Sequence, residues 1–398
     1  MKFSSFLDKV TYFSVLIFLA SLTWSTALME IMSVTMLIGW GFLKSKNGWK
    51  LEIDKRVFYF LAAYVFLSTI SFFWSEFPKQ SFRGVFKILQ HFFLFWIVAE
   101  TLKTPERHRT ASKILIYSFI ILGVDGIWQY VFGKDLLRQI ACEPASSGPR
   151  ISATFKNYGL LASYLISFLP LLGALFKRGD ERKKNWAVVT GVFLGLLLLF
   201  WTRLRGAWVA FLGGLFFGLW NRKKRVYVLF ALLAICAVPF VLPRSMIIHL
   251  DSEGKEQSLV ERYYLWDRAL QVIEARPLTG TGINTYDVAH QKYDQRQNWR
   301  VRGYYAHNGY LQMAAETGLP SLFCFLGFIF FYFWRAFEIL RKSTNANENC
   351  ILLGFLTGMT SFLILGSIDT TLHNPHAVMA FWFLAAWGMA YLQVLKKP

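Results

Sequence analysis

Four short stretches of the 398-residue sequence hold residue types suited to chemistry on an anion and a hydroxyl. The first is Trp201-Thr202-Arg203-Leu204-Arg205-Gly206-Ala207-Trp208, a polar hairpin between two apolar runs. An arginine donates two parallel hydrogen bonds to a phosphate from its planar fork, so Arg205 is a candidate for holding an anion at a membrane surface. The alternative is a side chain that merely snorkels to the interface. In the second stretch, 258–274, Leu259, Tyr263, Trp266, Leu270 and Ile273 recur at threes and fours, which predicts an amphipathic helix. Arg262 borders its apolar stripe, and Arg268 and Glu261 are expected on the solvated side. Beyond it, Pro277-Leu278-Thr279-Gly280-Thr281-Gly282 is a turn-rich break, and its Gly-x-Gly has no preceding strand to make it a nucleotide loop.

The third stretch runs from Tyr304-Tyr305-Ala306-His307-Asn308-Gly309-Tyr310 into Glu316-Thr317-Gly318-Leu319-Pro320. If 305–317 is helical, His307 shares a face with Tyr310, Leu311 and Ala314, and Glu316 points the opposite way. An imidazole in this position either packs at the interface or accepts a proton near neutral pH. The fourth is Gly366-Ser367-Ile368-Asp369-Thr370, between the last two apolar runs. An ionisable residue at the edge of a membrane marks function, unless the segment is simply a short polar turn.

The elements that must position these residues are membrane spans. Of the residues 55% are hydrophobic and 18% aromatic, only 17% are charged against about 25% in soluble domains, and the mean hydropathy is +0.38. The net charge of +19 sits between apolar runs, so it points to a membrane and not to nucleic acid. Twelve apolar segments are each about long enough to cross a bilayer, the ninth at 226–243 and the tenth at 317–334. Alternate connections hold 25 of the 43 Lys and Arg, which predicts cytoplasmic termini. Nine of the others lie in 244–304, a long external segment. Trp24, Trp40, Trp74, Trp186, Trp201, Trp220 and Trp334 fall near span ends as an interfacial belt does. The expected organisation is 1–243 with spans one to nine, 244–316 as a large external loop with amphipathic helices, and 317–398 with spans ten to twelve. Four cysteines without a Cys-x-x-Cys give no disulfide framework or zinc site. The acid pairs Glu52/Asp54 and Asp251/Glu253 do not read as a buried metal site, so neither metal nor cofactor is expected. No paired symmetric halves suggest a transporter.

The residues quoted above resemble the bacterial O-antigen ligases, of the superfamily that also contains O-antigen polymerases and protein O-oligosaccharyltransferases. Thr202 to Trp208 is similar to the family's Thr/Ser-x-x-Arg-Gly/Ala turn, which maps onto Arg205. Ser258 to Gly282 is similar to the helix that opens with an arginine and ends in Pro-Leu-x-Gly-x-Gly, which maps onto Arg262, with Trp266 in register. Ala306 to Leu319 is similar to the His-Asn…Glu-x-Gly stretch, and Gly366 to Asp369 to a further acidic site. Leu204 departs from the serine often found before the turn arginine. The resemblance implies a GT-C-like, all-α membrane fold of about twelve helices in the bacterial inner membrane, its site facing the periplasm. It implies an inverting, metal-independent transfer of an O-antigen glycan from undecaprenyl diphosphate to a lipid A-core hydroxyl among membrane lipids. His307 would be catalytic, Arg205 and Arg262 would bind the donor diphosphate, and Asp369 and Asn308 would support them. A repeat-unit polymerase of the same superfamily is the alternative.

Overall fold

The computed structural model describes residues 2–48, 53–144, 148–176, 182–219, 257–293 and 304–395. The apolar runs fold as α1 (Lys2–Ser21), α2 (Thr26–Asn47), α3 (Lys55–Ile70), α4 (Pro78–Thr101), α5 (Pro105–Phe132), α6 (Tyr158–Ala174), α7 (Arg182–Thr202) and α8 (Arg205–Leu219). They continue as α9 (Gln257–Ala275), α10 (Gly309–Lys342), α11 (Ala346–Gly366) and α12 (Pro375–Val394). In hydrocarbon every backbone polar group must be satisfied within its own segment, and helices do this. Among the described residues nine helices are long and apolar enough to span a membrane, and α6 and α8 are shorter apolar helices. The chain is therefore an all-α polytopic membrane protein. The expected span at 226–243 lies outside the described residues, as do Trp220, Asp251 and Glu253. Among the described residues there is no strand, only two isolated bridges, Lys134–Ala141 and Glu143–Arg150.

The helix α12 is the axis of the bundle. Trp382 and Trp387 on it are buried, and Trp387 Nε1 donates to His108 Nδ1 of α5 at 2.9 Å. Outer helices turn Phe66, Phe193, Phe200 and Val209 outward, each more than half exposed, as a lipid solvent permits.

Successive helices alternate in direction, which sorts their ends into two groups. At one end the chain gathers the start of α1, the close of α2, the start of α3 and the close of α4. There Lys44 Nζ, Trp40 Nε1 and Trp96 Nε1 converge on the Glu100 carboxylate at 2.8–2.9 Å, Arg107 pairs with Asp8, and Arg335 lies 3.6 Å from Asp54. Gln393, near the close of α12, donates to Ala99 O at this same end, so α1 begins and α12 finishes on one side. Trp40 is thus buried on a carboxylate and is not part of an interfacial belt. Asp54 caps α3 by accepting from Arg56 N, a structural role for that half of the acid pair.

At the opposite end, His376 Nε2 lies 2.6 Å from Leu22 O, and Ser81 Oγ donates to Ile283 O at 3.0 Å. The polar stretches singled out by sequence all lie here. Helix α10 begins at Gly309 and not near 305, because His307 adopts a left-handed backbone (φ 47°) and Asn308 caps the helix. His307 consequently stands outside the helix, and the shared face expected for it with Tyr310 and Leu311 does not form.

Helix α10 also breaks internally. Gly318 has φ 82° and ψ 162°, and Pro320 supplies no N–H, so the carbonyls one turn earlier lose their helical donors. The segment after α9 replaces them: Thr281 N donates to Ala315 O at 3.0 Å and Gly282 N to Glu316 O at 2.9 Å, while Leu319 N donates to Pro277 O at 2.8 Å. The Gly-x-Gly turn is therefore a backbone clamp on α10, not a nucleotide loop. A Cβ at Gly318 would lie 2.2 Å from Leu278 O. Gly318→Ala is expected to destabilise the protein by about 1–3 kcal/mol or more, from the positive φ and the clash. A thermal unfolding midpoint in detergent lowered by several degrees would be the readout; an unchanged midpoint would mean that the clamp carries no stability.

Candidate functional site

The site forms where α11 ends. A helix leaves its last carbonyls without intrahelical donors. Here Leu363 O accepts from Tyr310 Oη at 2.8 Å, and Ser367 O from Asn308 Nδ2 at 2.9 Å. Ile368 O accepts from Arg262 Nη1 at 2.9 Å. The negative end of the α11 dipole also favours a guanidinium at this place. Two distant sequence segments are thereby held on one turn.

Asn308 is fully buried, and its Oδ1 accepts from Tyr310 N and Leu311 N at 3.0 Å while its amide nitrogen holds Ser367 O. It positions the residue before it. The His307 side chain reaches the same turn, with Nδ1 3.5 Å from Asp369 Oδ1, and both side chains remain about 30% exposed (31% and 28%). Trp266 Nε1 of α9 donates to His307 O at 3.4 Å, so the helix that carries Arg262 also grips the histidine backbone. A left-handed φ on a non-glycine residue costs roughly 1–3 kcal/mol and is found where a surrounding network imposes it, as Trp266 and Asn308 do here.

Arg205 opens α8 and is exposed on the same side. Its neighbour Gly206 packs directly on Ile368, where an added Cβ would lie 2.8 Å from the Ile368 Cδ1. The backbone of Arg205 is thus brought beside the Ile368–Asp369 segment that Arg262 and His307 also reach. The turn before it is left-handed at Arg203 (φ 54°), and Thr202 Oγ1 bonds back to Leu199 O at 2.7 Å.

The Asp369 carboxyl is held below the ordinary carboxylate range. Burial alone pushes it up; the His307 ring 3.5 Å away, the bond from Thr370 N and the charge of Arg262 outweigh that. An ionised Asp369 beside Nδ1 favours the tautomer in which Nδ1 carries the proton and Nε2 is free to accept one.

Arg268 departs from expectation, and Glu316 takes a role the sequence does not show. Arg268 is buried, not solvated: it pairs with Asp267, donates to Tyr293 O at 2.5 Å and covers the Tyr264 ring. Its role is to fasten α9 to the segment ending at Tyr293. Glu316 does not touch His307, but it is far from idle. Buried, it accepts from Asn284 N at 2.8 Å, Tyr286 N at 3.2 Å and Gln312 Nε2 at 3.0 Å, fixing the chain after the clamp. Sequence reasoning missed Lys87 and His373, which lie near this carboxylate; neither falls in a motif, and the only signal is a basic residue on the outward part of a span.

The arrangement defines a class: a multi-pass membrane protein with a histidine–aspartate pair and two arginines at one end of its bundle. Comparison with known proteins finds two resemblances. Residues 190–326 match the family model described as O-antigen ligase. The chain is also 23% identical over 348 residues, 80% of its length and 74% of the relative's, to the exopolysaccharide production protein ExoQ of Rhizobium meliloti (strain 1021). Over 190–326 the chain is thus similar to the O-antigen ligase family, and over most of its length to a protein of exopolysaccharide production.

Because folding lowers the Asp369 pKa, its contribution to stability is complete above the unfolded value near 3.9 and disappears as pH falls through the folded one. The midpoint of Asp369→Asn should therefore lie below that of the unmutated protein from about pH 5 to 8, with the gap closing below about pH 4. A gap that widened on acidification would contradict the ionised Asp369.

Proposed function

We propose that the chain is an O-antigen ligase, an inverting glycosyltransferase that moves a glycan from undecaprenyl diphosphate to a hydroxyl of the lipid A-core. The observation that carries this reading is the His307–Asp369 pair, 3.5 Å apart, on the turn whose preceding carbonyl holds Arg262. His307 Nε2 takes the proton of the acceptor hydroxyl as its oxygen attacks the anomeric carbon. The bond from that carbon to the diphosphate oxygen breaks on the opposite face, and the lipid diphosphate leaves with the electron pair. Arg262 and Arg205 stabilise the charge that grows on it, where preorganised donors act most strongly. Asp369 keeps the His307 ring oriented, and Asn308 fixes its backbone. The energy comes from the diphosphate ester, so no nucleotide is required.

In this reading the protein lies in the bacterial inner membrane with the site facing the periplasm. The basic end, with Lys44 and Arg107, faces the cytoplasm. A second reading, a polysaccharide repeat-unit polymerase, is favoured by the printed name of the relative, which concerns exopolysaccharide production. The single large external loop supports the ligase. Purified protein supplied with lipid-linked glycan and core lipopolysaccharide, in the presence of chelator, separates the two. The ligase yields glycosylated core; the polymerase lengthens the lipid-linked glycan and leaves the core unchanged.

A general base contributes about 10²–10⁴-fold, so His307→Ala should retain at most roughly one per cent of turnover. Photo-crosslinking to the donor should persist, because the arginines remain. Turnover within a few-fold of the unmutated protein would remove His307 from the base role. Arg205→Lys and Arg262→Lys should each lose most activity, since a point charge replaces the bidentate fork. In a background freed of native cysteines, Leu278→Cys should be labelled by an impermeant reagent from outside spheroplasts and Ser45→Cys should not. The reverse pattern would invert the orientation.

A further inference from the structure

A cavity, partly open to solvent, lies between α3, α4, α10 and the turn before α12. It is distinct from the His307 site. Leu372 lines it and also packs against Gly309, where an added Cβ would meet its Cδ1 at 2.9 Å, so this side chain stands between the cavity and the residues that follow His307. The proposed transfer uses none of its polar groups.

The wall carries a single ammonium. Lys87 Nζ donates to Asn284 Oδ1 at 3.1 Å, which leaves two of its N–H groups for a ligand. Beside it, His373 Nε2 lies 3.8 Å from Glu316 Oε2, and His373 Nδ1 is buried with no hydrogen-bond partner. Burial and the Lys87 charge hold this imidazole well below its usual range, hence neutral, with a ring nitrogen able to bond a hydroxyl. The innermost wall is aromatic: Tyr64 and Trp382 stack on each other, 6.5 Å apart at 23°, and are almost wholly buried (7% and 2% exposed).

The approach is basic. Lys79, Arg83 and Lys87 recur every fourth residue of α4 and share one face over two turns. Lys79 and Arg83 are exposed near the helix start, and Lys87 is half-buried at the cavity. Basic residues at this end run against the bias that places them at the other, so they need a reason.

The lining discriminates among anions. A polyphosphate carries more than one negative charge and prefers arginine forks; this wall offers one ammonium, enough for a single carboxylate. A sugar ring sets its C–H groups against an apolar wall and its hydroxyls toward neutral donors and acceptors. We propose that the cavity is a saccharide subsite for a pyranose bearing one carboxylate, with Lys87 on the carboxylate and Asn284 and His373 on the ring hydroxyls. This rests on the reading of the chain as a glycan transferase and names an acidic residue of its glycan substrate. That residue belongs to either the donor or the acceptor.

The test uses the full-length protein in nanodiscs and saturation-transfer NMR with two probes. One is a hyaluronan tetrasaccharide, which contains glucuronate; the other is neutral chitotetraose. Transfer to the glucuronate ring protons is expected, with little to chitotetraose. A charge-assisted hydrogen bond is worth enough that Lys87→Gln should weaken binding by about tenfold. Lys87→Arg should restore much of it, with unfolding midpoints confirming that both variants fold. His307→Ala should leave binding unchanged, so the subsite is read independently of transfer activity. Displacement by the lipid-linked donor assigns the bound residue to the donor glycan, and displacement by the core acceptor assigns it to the acceptor. The proposal is overturned by absent binding, by equal binding of the neutral probe, or by Lys87→Gln binding as well as the unmutated protein. Loss of binding in His307→Ala would move the glycan to the His307 site and equally overturn it.

Discussion

The carbonyls at the close of α11 are the constraint on which the site depends. A helix that ends inside a protein must find donors for them, because an unsatisfied buried carbonyl costs on the order of 1–3 kcal/mol. Tyr310, Asn308 and Arg262 supply those donors, from an external helix and from the start of α10. The requirement is purely structural, yet its solution sets the positions of an arginine and a histidine relative to Asp369. Stability and site geometry are one set of bonds.

The same economy governs the break in α10. Gly318 and Pro320 free two carbonyls, and the turn after α9 takes them up with Thr281 N and Gly282 N. That clamp fixes the far end of α9, whose middle carries Trp266 and whose start carries Arg262. Glu316 adds its own contacts to Asn284 and Tyr286. The helix outside the bundle is held at its far end by backbone bonds and nearer its start by the side chains of Arg262 and Trp266, which is how it can present a side chain to a fixed point.

Much of this was legible in the sequence, and the reasons are specific. The helices were legible because apolar runs of span length have no other stable form in a bilayer. Arg205, His307 and Asp369 stand out because ionisable groups are rare at the edges of such runs, and Arg262 because it borders the apolar stripe of an amphipathic helix. What escaped depended on partners far along the chain. Trp40 reads as interfacial until Glu100 is placed beside it, and Arg268 reads as solvated until Tyr293 O is. The start of α10 was misplaced because helical periodicity does not reveal the left-handed backbone at His307. Lys87 and His373 belong to no local pattern; only the packing of α4 against the turn at Asn284 brings them together.

The backbone clamp also defines what can be exchanged between homologous chains. Its bonds run between main-chain atoms of 277–282 and 315–319, so they are indifferent to most side chains but intolerant of any change in segment length or in the path at Gly280 and Gly318. A graft that moves the external segment alone inherits half of a matched pair. The transferable module is the stretch from α9 through Pro320 taken whole, and its natural seams lie before Gln257 and within the lower part of α10, where the chain is again an ordinary helix.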